Sequence, residues 1–154
     1  MQFWGFLEFF SDKTLHIVYA MCLFIIFLVL WVIYPIYKKP YMRKIMFGYM
    51  CLTISMVLIP FRNLIPEFLG ITSGNILAIA GEYVVMIGFL EMIHIKVQYK
   101  YYYILIVLFT IIHAYFTYIQ PNIANRIINY SVFLIIPTFY FIVSFLMTSI
   151  KNHE

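Results

Sequence analysis

Charge is scarce in this sequence. Ten lysines and arginines and six aspartates and glutamates make up 10% of its 154 residues, where a soluble domain carries about 25%. Cysteine is nearly missing too. Cys22 and Cys51 both fall inside apolar runs, with no CxxC pair and no metal-like spacing. That leaves no disulfide framework and no zinc site, and both read as small buried hydrophobes. There is no HExxH helix, no nucleophile elbow and no glycine-rich phosphate loop, the local signatures of metal, acyl and phosphoryl chemistry. No apolar/polar alternation marks a strand, and no basic start with a small-residue cleavage site marks a signal peptide. An internal repeat of the transporter kind is also missing. A secreted disulfide scaffold, a nucleic-acid-binding domain and an ordinary cytosolic enzyme are excluded on these grounds.

What is present is apolar length. Hydrophobic residues are 65% of the chain and mean hydropathy is +0.96. A membrane helix needs about 20 apolar residues, so the composition has room for about five. Five spans are expected, at residues 14–37, 42–61, 68–93, 101–119 and 127–150. Residues 1–13 form a short segment whose Phe3, Trp4, Phe6, Leu7 and Phe10 suit an interfacial face. Pro60 and the Gln120-Pro121-Asn122 turn punctuate the chain, and Trp31, Tyr34 and Tyr37 read as an aromatic belt. The fold class is therefore all-α, a single integral membrane domain built as a helix bundle.

The net charge of +4 is read as topology rather than as a nucleic-acid footprint, because the basic residues sit at segment ends. The first loop holds Lys38, Lys39, Arg43 and Lys44, the third holds Lys96 and Lys100 beside His94, and the tail holds Lys151. The other connections carry few: Lys13 against Glu8 and Asp12, Arg62 against Glu67, and Arg126 alone. Cytoplasmic loops collect lysine and arginine, so the expected orientation is N-terminus out, C-terminus in.

The third span is the most informative. Gly70, Gly74, Ala78, Gly81 and Gly88 lie within roughly 80° of arc at 100° per residue, a small-residue stripe of the kind that lets helices approach closely in lipid. Asn75 and Glu82, seven residues apart, project beside that stripe. A carboxylate in mid-membrane is costly and turns toward protein or water, so Glu82 is a candidate functional residue, with a helix-packing acid as the bland alternative. His113 in the fourth span is a candidate neighbour for it. Arg62 and Arg126, with Asn63, Asn122 and Asn125, form an expected outer polar rim, with interfacial snorkelling as the plain alternative. The expectation is a polar pocket lined by Glu82 that opens toward this rim. His16, His94 and His153 lie near segment ends and complete no site.

Several segments resemble the multi-helix membrane region that precedes the catalytic domain of bacterial GGDEF-type diguanylate cyclases. They are Asp12-Lys13-Thr14-Leu15, residues 60–71 (PFRNLIPEFLGI), Gly74-Asn75, Gly88-Phe89, residues 115–122 (YFTYIQPN) and Arg126. The resemblance covers most of the chain in order, as short motifs in hydrophobic sequence. It implies a sensory input module with its output on the cytoplasmic side, and it transfers no ligand residue. Glu82 departs from the pattern. No GG[DE]EF signature occurs in the 154 residues. The expected function is thus a signalling-type module of the bacterial inner membrane, non-catalytic on its own. It works through a cytoplasmic partner, as a stand-alone descendant, or as a fragment of a longer chain. The alternative is a small oligomeric channel or transporter subunit with a polar path past Asn75, Glu82 and His113. Expected partners are the lipid bilayer, copies of itself and a cytoplasmic signalling protein, without nucleic acid, cofactor or metal.

Overall fold

Lipid offers no hydrogen bonds, so a long apolar segment must satisfy its backbone internally, and a helix does so. The computed structural model of the chain describes residues 12–61 and 64–151, and every element among them is helical. The described residues form five α-helices, in order α1 Asp12–Tyr37, α2 Pro40–Leu58, α3 Gly74–Met92, α4 Tyr99–Ala114 and α5 Ile123–Lys151. Two π-helical turns complete them. One, Phe68–Ser73, leads into α3; the other, Tyr115–Ile119, continues α4. Neither was expected from sequence.

Among the described residues four stretches are long and apolar enough to cross a membrane: Thr14–Tyr37, Phe68–Met92, Tyr99–Ile119 and Ile123–Thr148. Helix α2 stands where the second span was expected but is less apolar, with Arg43 and Lys44 near its start. Pro40 begins it at the first helical position, where the missing N–H of proline costs nothing. The expected interfacial segment falls almost entirely on residues 1–11, outside the described residues, and Asp12 already belongs to α1.

Helix α3 is the centre. Half of its most apolar window is buried, against 11% for α1 and for α5. It buries two opposite faces. The glycine face packs antiparallel on α2: Gly88 lies on Tyr41 and Ile45, Gly81 on Gly48 and Leu52, and Gly74 on Leu58 and Ile59. At the middle contact the backbones touch. A Cβ at Gly48 would stand 2.7 Å from the Gly81 carbonyl oxygen, and a Cβ at Gly81 would stand 2.9 Å from that of Gly48. Ser55, fully buried on α2, donates to the Gly74 carbonyl at 2.7 Å. Leu23 of α1 closes this side against Leu52 and Val85.

Opposite, Ile79, Tyr83 and Ile87 recur at helical spacing and pack with Tyr102 and Phe109 of α4 and Phe133 of α5. Tyr83 has a specific reason to be there. Pro137 lies within α5 and has no N–H, so it cannot bond the carbonyl of Phe133 four residues earlier. Tyr83 donates its hydroxyl to that carbonyl at 2.5 Å. The freed backbone acceptor is thereby satisfied by a neighbouring helix, as membrane packing requires.

Both reversals at the lysine-rich end use a left-handed residue that is not glycine, Lys38 (φ 49°) and His94 (φ 62°). At His94 the pattern is a Schellman cap, with Ile95 N–H on the Leu90 carbonyl at 2.9 Å and His94 N–H on that of Glu91 at 3.0 Å.

Replacing Gly81 by Leu should destabilise the protein by a few kcal/mol, as overpacking a tight contact does. Its melting temperature in nanodiscs should fall well below the parent; an unchanged value would contradict the contact. Tyr83→Phe should cost about 1–3 kcal/mol by orphaning the Phe133 carbonyl. In a Pro137→Ala background, where residue 137 regains its N–H, that cost should shrink. Equal costs in both backgrounds would show that the tyrosine does not serve the proline.

Candidate functional site

A π turn inserts one residue into a helix, which opens the hydrogen-bond ladder and often marks a functional site. Here two π turns lie side by side at the end of the bundle where α3 and α5 begin and α4 ends. Thr72 of the first and Tyr118 of the second share a hydrogen bond between their hydroxyls at 2.7 Å. In the second, Gln120 N–H reaches five residues back to the Tyr115 carbonyl at 3.0 Å.

Beside these turns is a cavity of about 510 Å³, within the roughly 300–1,000 Å³ usual for small-molecule sites. Its polar lining is Asn75, His113, Arg126 and His16, and Tyr130 is among its apolar walls. Three of the candidate residues are therefore brought together. Asn75 follows the first π turn and donates its amide to the Ile71 carbonyl at 2.6 Å, keeping a second amide hydrogen free. Arg126 sits in the first turn of α5, whose N-terminus Asn122 caps by accepting from Asn125 N–H at 3.1 Å. His113 comes from the last turn of α4.

His113 is the anomaly. It is 2% exposed, its ring stacks on Phe109 at 5.2 Å, and neither ring nitrogen has a hydrogen-bond partner among the described residues. Leaving a buried polar group unpaired costs about 1–3 kcal/mol, and such groups in native structures call for an explanation. The Arg126 guanidinium is close enough to act on the imidazole electrostatically, and among the described lining residues there is no acid.

Glu82 is not a lining residue of this cavity. It lies on the Asn75 side of α3, about 10 Å deeper along the axis at 1.5 Å per residue. It stands within electrostatic range of the hydroxyls of Tyr19, Tyr49 and Tyr130. Tyr130 is thus the residue that touches both environments. His113, the candidate neighbour of Glu82, shares no hydrogen bond with it, since His113 bonds to nothing described. Arg62 and Asn63 lie outside the described residues, so the outer rim is represented by Arg126, Asn122 and Asn125 alone. Cys51 is buried, whereas Cys22 faces outward on α1, contrary to the expectation that both are core. Among the described residues no three His, Cys, Asp or Glu side chains gather as a metal site would require.

Sequence reasoning missed Glu91. At the opposite end Lys44 of α2 pairs with Glu91 of α3, and both bond the Tyr99 hydroxyl at the start of α4. The Lys44 ammonium also lies 4.8 Å from the centre of the Tyr99 ring. The available signal was register: antiparallel spans place the start of the second beside the end of the third. A second cavity, of about 400 Å³, lies at this end between α4 and α5 and holds Lys96, Gln98, Tyr102 and Tyr140.

Comparison of the chain with models of known protein families, with curated proteins and with solved structures gives no match. Function must be argued from the site itself.

If His113 is kept for a ligand rather than for the fold, His113→Leu should not destabilise. It removes two unpaired buried nitrogens and keeps apolar bulk, so the ligand-free melting temperature should hold or rise. A fall of many degrees would make His113 a structural residue.

Proposed function

We propose that this chain is a membrane-embedded sensory module that receives a small molecule in the cavity of Asn75, His113 and Arg126 and acts on a cytoplasmic partner. The observation that carries the reading is His113: a buried imidazole with neither nitrogen paired among the described residues, on the wall of a cavity beside two π turns. An unpaired buried imidazole carries a cost that a partner would relieve. A receptor residue gains one when its ligand arrives.

The proposed topology is five crossings of a bacterial inner membrane, N-terminus out and C-terminus in. Helix α2 counts as a crossing because 19 residues reach about 28 Å, close to the roughly 30 Å of the hydrocarbon core. Its Arg43 and Lys44 then sit at the lysine-rich cytoplasmic face, and the cavity opens outward. This arrangement agrees with the resemblance to diguanylate cyclase input regions, which also send their output inward. The route of the signal is α5. Its first half carries Arg126 and Tyr130 at the cavity, Pro137 interrupts it, and its last described residue is Lys151.

The rival reading as a channel or transporter subunit draws support from the polar line Asn75–Glu82. That line stops seven residues further on, where Phe89 packs against Phe141 of α5 with ring centres 6.4 Å apart. A polar path that ends in an aromatic plug suits reception better than conduction.

Cysteines at Leu64 and Asn122 should label from outside intact cells, and cysteines at Lys39 and Gln98 only after permeabilisation. Labelling of Leu64 from the inside alone would break the five-crossing arrangement. With a diguanylate cyclase domain grafted after Lys151, His113→Gln and Arg126→Gln should change cyclase output severalfold at equal expression. Unchanged output would sink the sensory reading, and solute or proton flux through proteoliposomes would replace it with the rival.

A further inference from the structure

We infer that the cavity takes an organic anion, a carboxylate carried on an apolar body. The inference rests on the reading of the cavity as an input site and names its ligand class. Among the described residues, Arg126, His113, His16 and Asn75 are its polar lining, with no carboxylate and with the Arg126 guanidinium as the one fixed charge. It stands close enough to His113 to act on it electrostatically, and its own first turn adds the partial positive charge of a helix N-terminus. A cation there, without an acid on the wall, is left for the ligand to neutralise.

The shape of the cavity is as informative as its charge. A carboxylate presents two oxygens, which suits the planar fork of an arginine. The same group accepts from whichever ring nitrogen of His113 carries the proton, and from the uncommitted amide hydrogen of Asn75. An amine would meet Arg126 with like charge, and an alcohol would leave Arg126 unneutralised. The rest of the wall is hydrocarbon and ring: Met56, Ile59, Ile71, Ile123, Ile127 and Tyr130. An inorganic anion such as sulfate would leave that surface uncovered. Apolar body and anionic head are both required.

Two sources supply this chemistry, a soluble carboxylate from the outer aqueous phase and a fatty acid from the bilayer. Octanoate, octanol and octylamine share one apolar body and differ in the head. They are titrated calorimetrically into the full chain in nanodiscs of neutral phosphatidylcholine, with empty nanodiscs subtracted. Octanoate should bind at least ten-fold tighter than octanol, and octylamine should not compete. Arg126→Gln should weaken octanoate by about 10- to 100-fold, the loss of a charge-assisted bond, and leave octanol unchanged. Arg126→Lys, which keeps the charge and loses the fork, should fall between them; it also serves if the glutamine variant fails to fold. Palmitate supplied in the bilayer identifies the source: displacement of octanoate at lower mole fraction assigns the site to lipid, and failure to displace assigns it to the aqueous phase. Equal binding of octanoate and octanol, or preference for octylamine, overturns the inference. Octanoate binding with no response of the grafted cyclase would remove the sensory reading and leave the ligand class standing. No octanoate binding while His113→Gln shifts the cyclase output would do the reverse.

Discussion

Two backbones meet at Gly48 and Gly81, and the bundle is arranged around that contact. In lipid there is no hydrophobic drive to bring helices together, so association depends on close packing and on polar bonds between helices. The glycine pair supplies the first: each lacks the atom that would collide with the other's carbonyl. Close approach then lets short side chains bond across the gap, and the Ser55 hydroxyl reaches the Gly74 backbone. With α2 fixed along one face of α3, the opposite face is left for the larger aromatic core, where Tyr83, Phe109 and Phe133 gather. The lysine-rich end is held in the same register by Lys44, Glu91 and Tyr99, so the helix pair is tied at its middle and at that end.

Polar groups inside this bundle fall into two kinds. Most are satisfied locally. Thr53, Thr110, Thr117, Thr138 and Thr148 each bond the carbonyl four residues earlier on their own helix. That neutralises the hydroxyl without a partner helix. His113, Tyr102 and Asn129 are different, because each is buried with a polar atom unpaired among the described residues. His113 and Tyr102 each border a cavity, and Asn129 borders neither. A fold selected only for stability would fill such space or remove the polar atoms.

Much of the architecture was legible in the sequence, because membrane helices announce themselves by length and the third span by its glycines. The stripe did mark the most buried helix, and Gly81 did meet another backbone. Asn75, His113 and Arg126 were singled out with Glu82 and Arg62 as candidates for one polar pocket. That the cavity takes in the first three and leaves Glu82 out was not legible. It depends on which helices neighbour each other across the bundle, and the linear pattern does not encode that. The π turns were invisible for another reason. Inserting one residue rotates the downstream helix without changing composition, so Phe68–Ser73 and Tyr115–Ile119 read as ordinary apolar helix. Glu82 drew attention by its mid-span position, yet that argument ignored which neighbours share its side of α3. Those neighbours are Tyr19, Tyr49 and Tyr130, whereas Asn75 lines the cavity.

Pro137 gives the arrangement its mechanical consequence. A proline in mid-helix removes one rung of the ladder and marks where a helix bends. The helix it interrupts is the one that carries Arg126 and Tyr130 at the cavity. The rung is replaced by a bond to a different helix, from Tyr83 on the rigid centre. At that junction α5 is tied to α3 by the Tyr83 hydroxyl as well as by the packing of Phe133 and Phe141. On the proposed sensory reading, a ligand bridging Arg126 and His113 acts on the segment before that junction, and the segment after it answers with a change of angle. Small displacements at a binding site become rigid-body motions when the intervening element has two packings of similar energy. A proline whose lost bond is supplied by a neighbour is an inexpensive way to obtain such an element in a membrane, where a truly broken backbone would not be tolerated.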